Sequence, residues 1–223
     1  DKCHIAMSEV PYLGFKVGAA GTRPMEEKIQ PILDIMLADM QSDPAAAARY
    51  AGMLAFYSRF IPNLQTLLSP FWALKGKNAG KKDTESVREL KFMAAFEATK
   101  HALCNLTALA RPDMSKPFYI DVDAAASCGI GAVLSQRQDP NDPASHLPLA
   151  FWSRRFTDEE RRYGVRDQEC LGLTDALMQW RHMILGSHTV VRTDHQSLTQ
   201  LLKNPRPDGS RVATYALKIQ GFD

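Results

Sequence analysis

The spacing of apolar positions along the chain changes period near residue 112. Before it, helical spacing dominates. Ile29, Ile32, Leu33, Ile35 and Met36 line one face of MEEKIQPILDIMLADM, and Tyr50, Met53, Leu54 and Tyr57 line one face of the Ala-rich DPAAAARYAGMLAFYSRFI. Pro24 and the early acids Glu26 and Glu27 mark the start of the first helix, and Pro31 bends it. Asp43 is placed to cap the second helix, and Pro62 ends it. A further helix is predicted from Leu64 to Leu74. The lysine-bearing KGKNAGKKDTES then reads as a solvated surface loop and candidate domain boundary. A helix from Val87 to Leu106 follows, with Leu90, Met93, Ala94 and Leu103 at helical spacing. Ahead of all these, Cys3 to Val17 predicts two short strands around a Ser8-Glu9 turn.

After residue 112 three strand-like runs come in succession: PFYIDVD (Pro117 to Asp123), CGIGAVLSQ (Cys128 to Gln136) and LPLAFWSRR (Leu147 to Arg155), the first two as a hairpin. Thr157 to Leu185 reads as one long helix with Leu171, Leu173, Ala176, Leu177 and Trp180 buried. HTVVRTDH is a fourth strand, SLTQLLKN a short helix and SRVATYALKIQG a last helix. A meander of three strands and a fourth reached across a helix predict an α+β or α/β unit, a mixed sheet with helices packed on its faces.

Composition fits folded protein: 223 residues, 45% hydrophobic and 23% charged, which excludes a disulfide-stapled mini-protein, wholesale disorder and a coiled coil. Lys and Arg number 27 against 25 Asp and Glu, so charge alone does not point to nucleic acid. The four cysteines Cys3, Cys104, Cys128 and Cys170 lack any C-x-x-C spacing, which argues against zinc and for a reducing, intracellular compartment. No stretch has the length of a membrane span, and the N-terminus lacks the pattern of a signal peptide.

Three acids stand at telling positions: Asp123 where the first strand of the sheet ends, Glu169 within the long helix and Asp194 where the fourth strand ends. Strand ends and adjacent helix turns converge on one crevice in open sheets with crossover helices. Carboxylates gathered there are relieved by a hard divalent cation, magnesium or manganese, and two such ions can activate water against a phosphodiester. Gly129-Ile130-Gly131 lies within a strand and is no dinucleotide loop.

KPFYIDVDAAASCGIGAVLSQ, PLAFWSRRFTDEERRYGVRDQECLGLTDALMQWRHMILG and HTVVRTDHQSLTQLL together resemble the RNase H domain of gypsy-type LTR retrotransposon polyproteins. KCHIAMSEVPYLGFKVGAAG resembles the end of a reverse transcriptase palm with its primer-grip hairpin, and YAGMLAFYSRFIPNLQTLLSPFWALKGK resembles the thumb. The resemblance implies a palm end over 1–40, thumb-like helices over 41–80, a connector over 81–112 and an RNase H-like domain over 113–223. It implies that Asp123, Glu169 and Asp194 are the metal-binding acids, and that the reaction is two-metal hydrolysis of the RNA strand of an RNA/DNA hybrid, leaving a 3′-hydroxyl. It also implies that the family's polymerase aspartates lie upstream of Asp1. The fourth metal-binding Asp and the last strand and helix of the domain lie downstream of Asp223, so the domain is expected to be truncated.

The spacing between Asp123 and Gly129 is one residue longer than the family's. Asp123 still fits the motif better than Asp121, which shares its sheet face. Arg154, Arg155 and His195 are candidate contacts to the nucleic-acid backbone, set against a solvated arginine pair and a histidine satisfied by a backbone carbonyl. Tyr12 and Phe15 are expected to be hairpin core rather than a stacking platform, and Trp152 and Trp180 to be core. Two functions follow: a magnesium-dependent ribonuclease acting on hybrids, or a noncatalytic, host-adopted structural subunit that keeps the fold and packs against other proteins.

Overall fold

The computed structural model describes residues 7–41, 43–73, 85–125, 129–139, 141–142, 144–193 and 211–222. The chain divides into two compact units, Asp1–Arg111 and Pro112–Asp223.

The first unit opens with an antiparallel meander, β1 (Glu9–Tyr12), β2 (Phe15–Gly18) and β3 (Gly21–Pro24). The turn falls at Leu13-Gly14 and not at the expected Ser8-Glu9. Both turn residues have positive φ, 48° and 85°, the geometry that joins two twisted strands through two residues. Gly21–Pro24 forms β3, a third strand beyond the two that the sequence predicts. Thr22 and Leu109 exchange backbone hydrogen bonds of 2.8 and 2.9 Å, tying that strand to the end of the unit.

Six helices follow: α1 (Glu26–Leu33), α2 (Leu37–Gln41), α3 (Pro44–Phe56), α4 (Leu64–Leu67), α5 (Ser69–Ala73) and α6 (Glu85–Cys104). The first predicted helix is two, broken after Leu33, and the Leu64 to Leu74 helix is likewise two short pieces. Asp43 caps α3 as expected, its carboxylate accepting from Ala45 N at 2.7 Å. Helix α6 packs against α1, α4 and α5. It buries Phe92, Ala95, Phe96, Thr99 and Leu103, whereas Leu90, Met93 and Ala94 of the predicted stripe are exposed. At its centre Tyr50 packs on Phe71 and Phe96, with ring centroids 5.5 Å away in each case. Thr99 Oγ1 donates to Phe96 O at 2.8 Å, so the Tyr50 hydroxyl donates to Thr99 at 2.9 Å and is satisfied while buried. Phe15 stacks on Phe56 and Phe60 at 5.2 and 5.3 Å, but Tyr12 projects into solvent and is not core. The lysine-bearing stretch expected as a boundary lies inside this unit and outside the described residues.

The second unit is a four-stranded mixed sheet in the order β6-β5-β4-β7, built from β4 (Phe118–Ala125), β5 (Gly129–Arg137), β6 (His146–Arg155) and β7 (Thr189–Arg192). Neighbours are antiparallel except β4 and β7, which are parallel. Helix α7 (Val165–Ile184) carries the chain from the β6 edge to the β7 edge, and α8 (Arg211–Ile219) packs on α7. The expected long helix starts later than Thr157, after a 3-10 turn at Glu160–Arg162.

Alternation along the strands sorts the sheet into two faces. Phe118, Ile120, Val122 and Ala124 of β4 are buried, as are Ile130, Ala132 and Leu134 of β5. This face meets α7, where Leu171, Leu173, Ala176, Leu177 and Trp180 are all buried as predicted. At Gly172 a Cβ would stand 3.4 Å from Val122 and Ile130 side-chain atoms and 3.5 Å from the Ala124 Cβ, so the helix and sheet are in close contact there. Trp152, expected as core, is only half-buried. The loop into the unit is pinned by the buried Gln136 side chain, which donates to Asp113 O and accepts from Asp113 N, both at 2.8 Å.

Candidate functional site

Tyr119, Asp121 and Asp123 share the β4 face that points away from α7. Asp121 stands opposite Arg192 of β7 and pairs with it, Nη2 to Oδ2 at 2.6 Å. The Arg192 Nη1 donates to His146 Nε2 at 2.9 Å, so the imidazole proton sits on Nδ1, which donates to Ser135 Oγ at 3.1 Å. Burial, and then Arg192 and Arg137, hold the His146 pKa below its ordinary value. Arg137 lies over the Tyr119 ring at 4.6 Å and the imidazole meets the same ring edge-on at 4.8 Å. These residues from all four strands form a network that neutralises Asp121.

Asp123 is different. It is exposed, it faces Gly131 across the ladder, and among the described residues it has no hydrogen bond or ion pair. Glu169 lies one helical turn before Gly172, the residue of α7 that packs on Val122 and Ala124, and it is only 7% exposed. Asp123 thus lies on the β4 face away from α7, whereas Glu169 lies on α7, one turn before the residue that packs on Val122 and Ala124. Two further expected site residues, Asp194 and His195, lie outside the described residues. Among the described residues no group of three or more metal-ligating side chains converges.

Arg154, expected as a nucleic-acid contact, spends its donors within the domain. Its side chain points toward α7, and all five of its N–H groups are taken. Nε and Nη2 donate to Asp175 Oδ2, the first at 2.9 Å. Nη1 and Nη2 donate to the two Glu160 oxygens at 2.7 and 3.0 Å, and Nη1 also reaches Arg155 O at 3.1 Å. The Arg154 hydrogen bond, followed by weaker contributions from Thr157, holds the Glu160 carboxyl below its ordinary pKa against the opposing effect of burial. Arg154 thus fastens β6 to the 3-10 turn and to α7, and through α7 it positions Glu169. Arg155 ends β6 opposite Gly129. The carboxylates that occupy Arg154 lie 6 and 21 residues away, spacings that carry no local motif.

A four-stranded mixed sheet in the order β6-β5-β4-β7 with a crossover helix packed on one face is the architecture of an RNase H-like fold. Residues 113–222 match the family described as the RNase H-like domain found in reverse transcriptase. Over its whole length the chain is 31% identical to the retrovirus-related Pol polyprotein from transposon 412 of Drosophila melanogaster, of which it covers 17%. It is 26% identical to the transposon Tf2-3 polyprotein of Schizosaccharomyces pombe, covering 16% of it. The chain thus spans less than a fifth of the curated relatives it matches. Among solved structures, the foamy viral protease-reverse transcriptase in complex with dsDNA aligns over 96% of this chain and 43% of its own, with a TM-score of 0.67 at 20% identity. The same viral protein in complex with an RNA/DNA hybrid aligns over 96% and 28%, with a TM-score of 0.67 at 21% identity. Residues 113–222 thus form an RNase H-like domain of the kind found in reverse transcriptase, and the chain as a whole is similar to retrotransposon polyproteins.

Proposed function

We propose that this chain is the RNase H-type endoribonuclease region of a retroelement polyprotein, with Asp123, Glu169 and Asp194 holding two magnesium or manganese ions against the RNA strand of an RNA/DNA hybrid. The observation that carries the reading is the contrast between two acids on one strand face. Asp121 is neutralised by Arg192, whereas Asp123, two residues on, has no cation among the described residues.

The residues fit a hard cation. The acids offer oxygen donors only. The Cys170 thiol, next to Glu169 in sequence, is buried, and burial pushes it up to about 11. When bound, the ions would activate water and stabilise the leaving 3′-oxygen. The protein's part is positional: Asp123 and Glu169 supply charge at one edge of the sheet, Gly172 lets α7 approach closely enough to bring Glu169 there, and the Arg154 fastening fixes the start of α7. Preference for RNA would come from the 2′-hydroxyl. Residues 1–111 would correspond to the palm end, thumb and connector. The test is cleavage of a labelled hybrid as magnesium is titrated, with Asp194→Asn alongside. Loss of cutting in the variant is expected. A folded chain that never cuts at any magnesium or manganese level refutes the reading and favours the noncatalytic subunit.

A further inference from the structure

At the start of α7 an open cleft of about 260 Å³ is lined by Glu159, Arg162, Tyr163 and Arg211. The Arg211 guanidinium, from the first turn of α8, lies 4.1 Å from the Tyr163 ring centroid and 3.7 Å from Asp167, so it is held in place while remaining largely exposed. Arg162, on the cleft wall, and Arg166, in the first turn of α7, are exposed and have no anionic partner among the described residues. Their neighbour Arg161, by contrast, is paired with Asp158. Arg166 precedes Glu169 by one turn, about 4.5 Å along the helix axis. Resting on the function proposed above, we propose that this cleft is a phosphate-backbone clamp for the RNA/DNA hybrid, with Arg162 and Arg211 gripping phosphates next to the one presented to Asp123 and Glu169.

The chemistry is that of positioning contacts. A planar guanidinium makes paired hydrogen bonds to phosphate oxygens, and a ring beneath it fixes its plane at little entropic cost. Arg162, unpaired and exposed, contributes charge. Arg211, held between Tyr163 and Asp167, contributes direction. Glu159, the acidic residue of the lining, would turn the phosphates toward the arginine side.

The experiment is a fluorescence-anisotropy titration of the full chain without divalent metal, using a labelled hybrid and duplex DNA and single-stranded RNA of equal length over a series of salt concentrations. Arg162→Gln and the pair Arg162→Gln/Arg211→Gln are compared with wild type. Arg162→Gln breaks no contact in the described structure and guards against a folding artefact. Each lost phosphate contact is expected to lower the slope of log affinity against log salt by about one, and to weaken hybrid binding several-fold at low salt. A double variant with the wild-type slope for the hybrid overturns the clamp, as does wild type that binds no hybrid at low salt. An effect confined to duplex DNA or to single-stranded RNA overturns the assignment to the hybrid. The two proposals separate cleanly. Arginine-dependent binding without cutting leaves the clamp standing and removes the nuclease reading, whereas cutting with arginine-independent binding does the reverse.

Discussion

Arg154→Gln distinguishes a structural from a nucleic-acid role at the residue where sequence and structure diverge most. The substitution removes a guanidinium whose five donors are spent on Glu160, Asp175 and Arg155 O, and leaves two carboxylates without a counter-charge. Breaking a fully buried pair costs about 3–5 kcal/mol, and an exposed one less than about 1 kcal/mol. Here the side chains are 29%, 16% and 28% exposed, between the two limits. A loss of about 2 kcal/mol follows, or about 6–8 °C in the melting of the Pro112–Asp223 unit. Urea denaturation reads the free energy, and the Arg154→Gln/Asp175→Asn pair reads the coupling, which should be favourable for residues in direct contact. The effect has a pH signature. The depressed pKa of Glu160 means that its contribution is complete above the unfolded value and is lost as pH falls through the folded one. The cost of Arg154→Gln should therefore be largest near neutrality and shrink below about pH 4.3. Unchanged stability together with a lower salt slope for hybrid binding would refute the fastening and return Arg154 to the nucleic-acid interface.

Three further outcomes are expected. Gly172→Ala should be tolerated, because its Cβ meets only ordinary contacts, but Gly172→Leu should drive α7 off the sheet, and with it Glu169, so that cleavage falls along with melting temperature. Gly129 has φ +152° and a Cβ there would stand 2.2 Å from Arg154 O, so Gly129→Ala should cost roughly 2–3 kcal/mol in urea denaturation. The lowered pKa of His146 predicts stability that is complete above about pH 6.5 and declines as pH falls through that value, because the unfolded chain takes up the proton first. An imidazole NMR titration centred above 6.5, or the same decline in His146→Gln, would contradict it.

The sheet and α7 were legible because each buries one face, and burial writes a period into the sequence. Period-two alternation at Phe118, Ile120, Val122 and Ala124 has no other reading, and the stripe from Leu171 to Trp180 marks the helix that covers it. The Asp43 cap was legible because its partner is two residues away. Helix α6 misled because apolar residues occur on more than one side: Leu90 and Met93 stand at helical spacing yet face solvent, while Phe92 and Phe96 make the core. The turn at Leu13-Gly14 was missed because Leu at positive φ carries no turn signal. Asp121 and Asp123 were ranked by motif alone, and the structure adds a physical difference between them that depends on Arg192, 71 residues away from Asp121. The His146 and Arg154 networks were invisible for the same reason: side chains from separate strands meet only once the sheet is assembled.

The most direct test of the account is the cleavage rate of a labelled RNA/DNA hybrid in magnesium by wild type, Asp123→Asn, Glu169→Gln and Asp121→Asn, each verified as folded. The account predicts cutting by wild type and by Asp121→Asn, and loss of at least about a hundredfold in the other two, on the scale of removing a group that stabilises developing charge. Cutting that survives Asp123→Asn and Glu169→Gln, or that depends on Asp121 in place of Asp123, would contradict it.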